Sequence, residues 1–308
     1  MNPVFLFFVI EYIYMKKVFL CGLGAVGLTF GVKLNKCQNI DLQIIADKAR
    51  LEKYSVHKPI FNGVEQEFSY VLPEFETEKS DLVIISTKSL GLDMAISSIK
   101  NFVKPQTRII SLINGISSEE KIRSVYPQAV VLKSYFIGHS AVRKGNSVTQ
   151  DGVGEIVMEK DRIVEEIFTQ ASIQYSVPDD IDYSMWLKFT LNIFSNQTSA
   201  ILKMDFGEMK RNKMFIEFAK KIIAEVKSIA ECKNIKNLEN LEKDCFNALS
   251  KMCDDGKTSM YQDILAKRQT EVDIFAGEII RLGKLYGIAT PYNQVLYDLI
   301  KIEEEKLG

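Results

Sequence analysis

The sequence predicts an α/β N-terminal region followed by an all-α C-terminal one, and three observations carry that expectation. Apolar runs of strand length recur through the first half, at 17–21, 41–46, 81–87 and 108–113. The first of them opens onto a glycine-punctuated turn, Gly22-Leu23-Gly24-Ala25-Val26-Gly27, and then resumes as the helical-looking Leu28 to Leu34. Near Pro178-Asp179-Asp180 the short apolar runs give way to long segments with apolar residues at helical spacing.

The turn fits G-x-G-x-x-G between a strand and a helix. Its first glycine permits the turn, its second lets backbone approach a pyrophosphate, and its third lets the helix pack closely on the strand. The N–H groups and positive dipole end of the helix would receive the phosphates. Residues 15–178 therefore read as a Rossmann-like dinucleotide-binding domain, and 179–308 as a helical domain.

Composition narrows the function classes. A chain of 308 residues with 46% hydrophobic content buries a large core, and its formal net charge of −1 offers no field for nucleic acid or an anionic membrane. Five cysteines without a C-x-x-C pair, and only His57 and His139, point to a reducing cytoplasmic setting and away from a metal site. The opening Met1 to Tyr14 is apolar but carries Glu11 and lacks a basic start or a cleavage site. It reads as an appended strand or packing arm, with Met15 as a candidate start.

Along the chain, Asp47 stands just past the second strand, where a ribose-reading carboxylate belongs. It reads equally as the N-cap of a helix through Leu51 and Tyr54, while Lys48 and Arg50 offer cations to a phosphate. Phe61-Asn62-Gly63-Val64 reads as a hairpin. The strand Asp81 to Thr87 runs into Lys88 and the strand Arg108 to Ile113 into Asn114-Gly115, which predicts two polar strand ends facing one crevice. Helices are expected over 183–203, 206–232, 238–253, 259–286 and 291–305, the last with Thr290 as N-cap and Pro291 at its first position.

The first of these helices carries Lys188, Asn192 and Asn196 within about 80° of one another, with Trp186 pointing away. Asparagine is a poor helix former, so two of them in one stripe suggest polar groups kept for a ligand. Reducing a ketone needs a donor for the oxygen as negative charge develops there, and Lys188 is the best candidate acid. Partial burial or a neighbouring cation such as Lys88 would lower its pKa. Ser259 with Gln262 reads either as a capping box or as a substrate contact, and Glu271 lies farther along the same expected helix.

Together these residues resemble the ketopantoate reductase (2-dehydropantoate 2-reductase) family. The likeness runs from Lys16 to about Glu304: the glycine turn, Lys88, Asn114-Gly115, Trp186-Leu-Lys188 with Asn192 and Asn196, Thr258-Ser259-Met260 with Gln262-Asp263, and Thr270-Glu271-Val272-Asp273. The resemblance implies NADPH as cofactor and reduction of ketopantoate to pantoate on the route to pantothenate and coenzyme A. It implies Lys188 as general acid and Glu271 as a supporting catalytic residue that also touches cofactor. It implies Asn192, Asn196, Ser259 and Asn114 as substrate contacts, and Lys88 and Asn114 near the nicotinamide. One departure stands out: the family usually has an arginine near the end of the second strand, where this chain has Ala46-Asp47-Lys48, which leaves NADH open. Two rival readings stay open, a D-2-hydroxyacid dehydrogenase of the same fold acting on another branched 2-oxo acid, and a non-catalytic dinucleotide sensor. The expected partner is a small 2-oxo acid, with no nucleic acid or membrane, in a monomer or homodimer.

Overall fold

A computed structural model describes residues 15–77, 79–138 and 141–306. The expectation for the 1–14 extension lies outside these residues. The chain begins β1 (Lys16–Cys21), α1 (Ala25–Asn35), β2 (Ile40–Ile45), α2 (Lys48–Val56), then the hairpin β3 (Ile60–Phe61) and β4 (Val64–Glu65). It continues through β5 (Ser69–Val71), β6 (Leu82–Ile85), α3 (Leu92–Ser98), β7 (Arg108–Ser111), α4 (Ser118–Val125), β8 (Val130–Leu132) and β9 (Ser134–Ile137). Next come β10 (Ala141–Lys144), β11 (Ser147–Gln150), β12 (Glu155–Met158), α5 (Arg162–Gln170) and β13 (Gln174–Ser176). The remainder is helical: α6 (Ile181–Leu202), α7 (Phe206–Arg211), α8 (Lys213–Cys232), α9 (Leu241–Ser250), α10 (Ser259–Leu265), α11 (Ala276–Tyr286) and α12 (Pro291–Glu305).

The main sheet has the strand order β5-β2-β1-β6-β7-β8, with every pair parallel. That is the order of a doubly wound dinucleotide-binding sheet, whose switch point lies between β1 and β6. Its strands read as unbroken apolar runs because both faces are covered. Val18, Leu20, Ile84 and Ile110 pack with Leu28 and Phe30 of α1 on one face. Phe19, Val83, Ile85 and Ile109 pack with Ala95 and Ile96 of α3 and Ile122 of α4 on the other. Two smaller sheets, β10-β11-β3-β4 and β13-β12-β9, flank it.

The helical part is built around α6. Trp186, Phe189, Ile193 and Phe194 meet Phe215 and Ile222 of α8, Cys245 of α9, Met260 of α10, Ile279 of α11 and Leu296 of α12 in one core. So enclosed a helix must satisfy its own polar side chains. Thr190 and Ser195 donate to the carbonyls of Trp186 and Leu191 at 2.7 and 2.6 Å, and Gln197 Nε2 donates to that of Ile193 at 2.8 Å.

Three of the expected helices are cut differently. The one over 206–232 divides at Asn212, whose extended backbone ends α7 and whose side chain accepts from Phe215 N at 3.1 Å to cap α8. Over 238–253 a short 3-10 turn, Leu238–Asn240, precedes α9. The stretch 259–286 breaks after α10, where Lys267 takes a left-handed φ of 52° and Arg268 N bonds back to Asp263 O at 2.8 Å. Periodicity runs through these points because the flanking helices face the same core.

Candidate active site

At the switch point the three glycines do different work. Gly22 has φ +106°, and a Cβ there would lie 2.9 Å from the Ser86 and Thr87 backbone. A Cβ on Gly27 would sit 2.0 Å from the Gly22 carbonyl oxygen, so this glycine lets α1 close onto β1. Gly24 is different: the nearest protein atom to its Cβ would be Ser86 O at 3.7 Å, which leaves room for a group from outside. Gly24 is also the N-cap of α1 and no side chain caps that end, so its amides keep their donors for a ligand. Leu23 is buried, with Ala25 and Val26 half-buried beside it.

Ser86 Oγ donates to Gly22 O at 2.8 Å and holds the turn. Thr87 Oγ1, next along, is buried without a hydrogen-bond partner among the described residues. Free helix amides, open space at Gly24 and an orphaned hydroxyl at the switch point fit a dinucleotide. Asp47 caps α2, accepting from Arg50 N at 2.8 Å, while Arg50 Nη1 stands 3.4 Å from its other oxygen. The capping reading is therefore correct, and the carboxylate remains half exposed beside a cation. Cys21, beneath the turn, has its thiol pushed up to about 11 by burial.

Facing the turn, the helical part contributes a connected set. Lys188 Nζ donates to Asn114 Oδ1 at 3.2 Å, Asn114 Nδ2 donates to Glu271 Oε2 at 3.1 Å, and Ser89 N donates to Glu271 Oε1 at 3.3 Å. Four segments thus converge: α6, the loop after β7, the segment after α10, and the loop after β6. The Lys188 ammonium also lies 5.2 Å from the centre of the Tyr135 ring. Burial pulls its pKa down to about 8, against the opposing pull of Glu271 and Glu119. Lys88 is not the cause, since it pairs with Asp263 at 3.1 Å.

Asn192 and Asn196 follow Lys188 at helical spacing, and neither side chain makes a hydrogen bond among the described residues, although Asn196 is only 5% exposed. An enclosed residue whose amide has no protein partner among the described residues is available to a ligand, and here it lies on the stripe that starts at Lys188. Ser259 is exposed, and its hydroxyl makes no hydrogen bond among the described residues. The capping-box expectation for it is corrected: Thr258 is the N-cap, accepting from Tyr261 N at 3.2 Å, and Gln262 Nε2 turns to Lys257 O at 2.9 Å. Glu271 likewise lies off the helices, just ahead of a 3-10 turn, Val272–Ile274, because the chain breaks at Lys267.

Among the described residues no group of His, Cys, Asp or Glu could hold a metal ion, and no helix is long and apolar enough to cross a membrane. Residues 18–162 match the model of the family "Ketopantoate reductase PanE/ApbA", and residues 180–304 match that of its C-terminal part. The chain belongs to the ketopantoate reductase family. As a member it is a ketopantoate reductase-like, NAD(P)-dependent oxidoreductase. It is similar to 2-dehydropantoate 2-reductase from Lactococcus lactis, at 27% identity over 94% of this chain and 99% of the relative. In structure it is similar to a D-mandelate dehydrogenase solved with NADH and anilino(oxo)acetate, with TM-score 0.82, 25% identity and coverage of 95% and 99% of the two chains. A ketopantoate reductase-family protein from Ralstonia eutropha shares the fold, with TM-score 0.81, 22% identity and coverage of 95% and 99%.

Two further residues near the candidate site, Arg143 and Tyr135, escape sequence reasoning, and Asp263, read in the sequence only within the Gln262-Asp263 motif, gains its contacts here. Arg143 of β10 reaches over the glycine turn, donating from Nη1 to Leu23 O at 3.0 Å. Asp263 holds both Lys88 and, at 2.8 Å, Arg268. Tyr135 lies under Lys188. Arg143 and Leu23, Tyr135 and Lys188, and Lys88 and Asp263 are each remote in sequence, so spacing carried no signal for these pairings.

Proposed function

We propose that this protein reduces 2-dehydropantoate to pantoate with NAD(P)H, a step of pantothenate and coenzyme A biosynthesis, the substrate lying between a Rossmann-like domain, 15–178, and a helical closure domain, 179–308. The observation that carries this reading is the chain Lys188–Asn114–Glu271, with the unpartnered Asn192 and Asn196 on the same helix stripe. When bound, the dinucleotide supplies the hydride. The residues to hold it are the turn Gly22 to Gly27, with Asp47 or Arg50 at its ribose, Arg143 over the turn, and Lys88, Asn114 and Glu271 toward its reactive end.

The protein's own part is to steady and protonate the ketone oxygen. Lys188, already relieved of part of its proton affinity by burial, donates to that oxygen as negative charge develops. Asn114 orients the ammonium through its carbonyl, and Glu271 orients Asn114 through the amide. Asn192, Asn196 and Ser259 can hydrogen-bond the substrate's carboxylate and hydroxyl without adding charge.

The test is turnover of ketopantoate and of 2-oxoisovalerate with NADPH and with NADH, followed by loss of the reduced nicotinamide absorbance. Preferred turnover of ketopantoate is expected. Turnover of 2-oxoisovalerate alone would favour the second reading, a D-2-hydroxyacid dehydrogenase, which the likeness to D-mandelate dehydrogenase and the carboxylate of Asp47 support. Cofactor binding with no turnover of either acid would favour a dinucleotide sensor. Asp47→Arg is expected to raise the NADPH to NADH preference at least about tenfold, because it removes a carboxylate from the ribose end. An unchanged ratio would move that role to Lys48 or Arg50.

A further inference from the structure

One aromatic residue against the donor lysine is left without a task by the proposed reaction. Tyr135 of β9 is 7% exposed and packs with Val157 of β12 and Met185 of α6. Its hydroxyl shares a hydrogen bond with Ser184 Oγ, and the Lys188 ammonium lies over its ring, 5.2 Å from the centre. Ser184 and Lys188 are four residues apart on α6, so one phenol spans a single turn of the helix that carries the lysine. Two residues before Tyr135, Lys133 Nζ donates to Asp182 Oδ1 and Oδ2 at 2.6 and 2.7 Å, which ties the same strand end to the first turn of α6. Lys188 has three donors and, among the described residues, one hydrogen-bond partner, the neutral Asn114 amide. Beside that bond, the negative face of the ring is what the structure sets against the ammonium. Packing with Val157 and Met185 would be served as well by phenylalanine or leucine. The hydroxyl bond one turn back is what sets where the ring lies.

We propose that Tyr135 is a positioning residue for Lys188: its hydroxyl, held by Ser184, fixes the ring under α6, and the ring face holds the ammonium in place and in its charged form. The proposal rests on the reading of Lys188 as the proton donor. Two acids act on the same ammonium, Glu271 from the segment after α10, joined to it through Asn114, and Glu119 of α4. On α8, α9, α10 and α12 the acids that are not exposed are engaged elsewhere. Glu225 accepts from the α12 amides, Asp244 from Tyr183 and Glu304 from Thr270, while Asp263 pairs with Lys88 and Arg268 and Glu303 with Lys306. The strand β9 itself carries no charged residue. Burial pushes the Tyr135 hydroxyl up, so the ring stays neutral across the range in which Lys188, at about 8, titrates.

The experiment compares pH profiles of kcat for the full chain, for Tyr135→Leu, which removes the ring face and stays apolar, and for Tyr135→Phe, which keeps the face and removes the hydroxyl. The assay uses whichever of ketopantoate and 2-oxoisovalerate the chain turns over. In Tyr135→Leu the alkaline limb, where Lys188 loses its proton, is expected to move toward acid by about half a unit to one unit. Below the limb, kcat is expected to fall at least about fivefold while KM for the reduced cofactor stays within about twofold. In Tyr135→Phe the limb is expected to stay within about 0.3 unit of its original position, with kcat lowered less than in Tyr135→Leu. An unmoved limb in Tyr135→Leu would overturn the proposal, and so would an equal shift in both variants. A second readout needs no Tyr135 variant. In the cofactor-free chain the Lys188 Hε resonance, identified as the one that Lys188→Ala removes, is expected upfield of the other lysine Hε resonances, because the π electrons shield protons over a ring face. A resonance inside the ordinary lysine band would overturn the proposal. If Lys188→Ala keeps the alkaline limb, or if neither acid is turned over, it is the reading of the site that fails, and the shielded resonance still decides for or against the contact at Tyr135.

Discussion

At the residue scale the proposed chemistry turns on how one ammonium is held. Among the described residues Lys188 has a single hydrogen bond, to a neutral amide oxygen, and an aromatic face, so burial outweighs the pull of Glu271 and Glu119 and its pKa falls to about 8. Because the donor is the protonated form, turnover is expected to fall as pH rises through that value. Lys188→Ala is expected to cut kcat at least about a hundredfold while cofactor affinity stays within about twofold. An unchanged rate would remove the assignment. Stability responds with its own sign: between about 8 and the ordinary lysine value of 10.5 the unfolded chain holds the proton that the folded chain has released. Folding is therefore favoured by rising pH across that window, and below it the buried charge is a cost. Lys188→Met is expected to raise the melting temperature at neutral pH by a few degrees and to lose that advantage toward pH 10.5. A lower melting temperature would mean that the hydrogen bond to Asn114 outweighs the desolvation of the ammonium.

At the element scale the glycine turn shows how one motif divides its labour. A Cβ at Gly27 collides with the Gly22 carbonyl at 2.0 Å, whereas one at Gly24 meets nothing within 3.7 Å. Gly27→Ala is therefore expected to force α1 off β1 and to lower both stability, by about 1–3 kcal/mol, and dinucleotide affinity. Gly24→Ala is expected to leave the melting temperature within about a degree or two, as a substitution that strains no core should, while weakening dinucleotide binding at least about tenfold, measured by titrating the reduced cofactor. Equal effects of the two on stability would mean that Gly24 also serves packing. This turn was legible in the sequence because its strand, glycines and helix are consecutive. The stripe Lys188, Asn192, Asn196 was legible because one helix carries it. The end of α10 was not: Lys267 adopts its left-handed conformation without a glycine or proline to announce it, and Thr258 outcompetes Ser259 as cap by only one position. Glu271 was found as a residue but placed on the wrong element for that reason.

At the scale of the whole molecule the site exists only where the sheet and the helical part meet. Its cross-connections are Lys188 to Asn114, Asn114 and Ser89 to Glu271, and Lys88 to Asp263, each joining a residue of the first half to one of the second. Such pairings between remote residues leave no trace in local spacing, which is why Arg143, Tyr135 and the tie at Asp263 emerge only from the fold. Asp263 is the most enclosed of these ties: its side chain is 9% exposed and binds both Lys88 and Arg268, so removing its charge leaves two cations facing a buried amide. If this tie holds the halves in register, Asp263→Asn loosens the cleft without touching the proton donor. The expected outcome is a larger radius of gyration for the cofactor-free chain by small-angle scattering, together with KM values for cofactor and 2-oxo acid raised at least about fivefold. The alkaline limb set by Lys188 stays in place, because Asp263 is not among the acids that act on that ammonium. Unchanged scattering with unchanged KM would show that the pair at Lys88 is dispensable and that the remaining contacts between the halves, Lys188–Asn114, Asn114–Glu271 and Lys133–Asp182 among them, keep them together. A shifted limb would instead place Asp263 within the electrostatic reach of the donor.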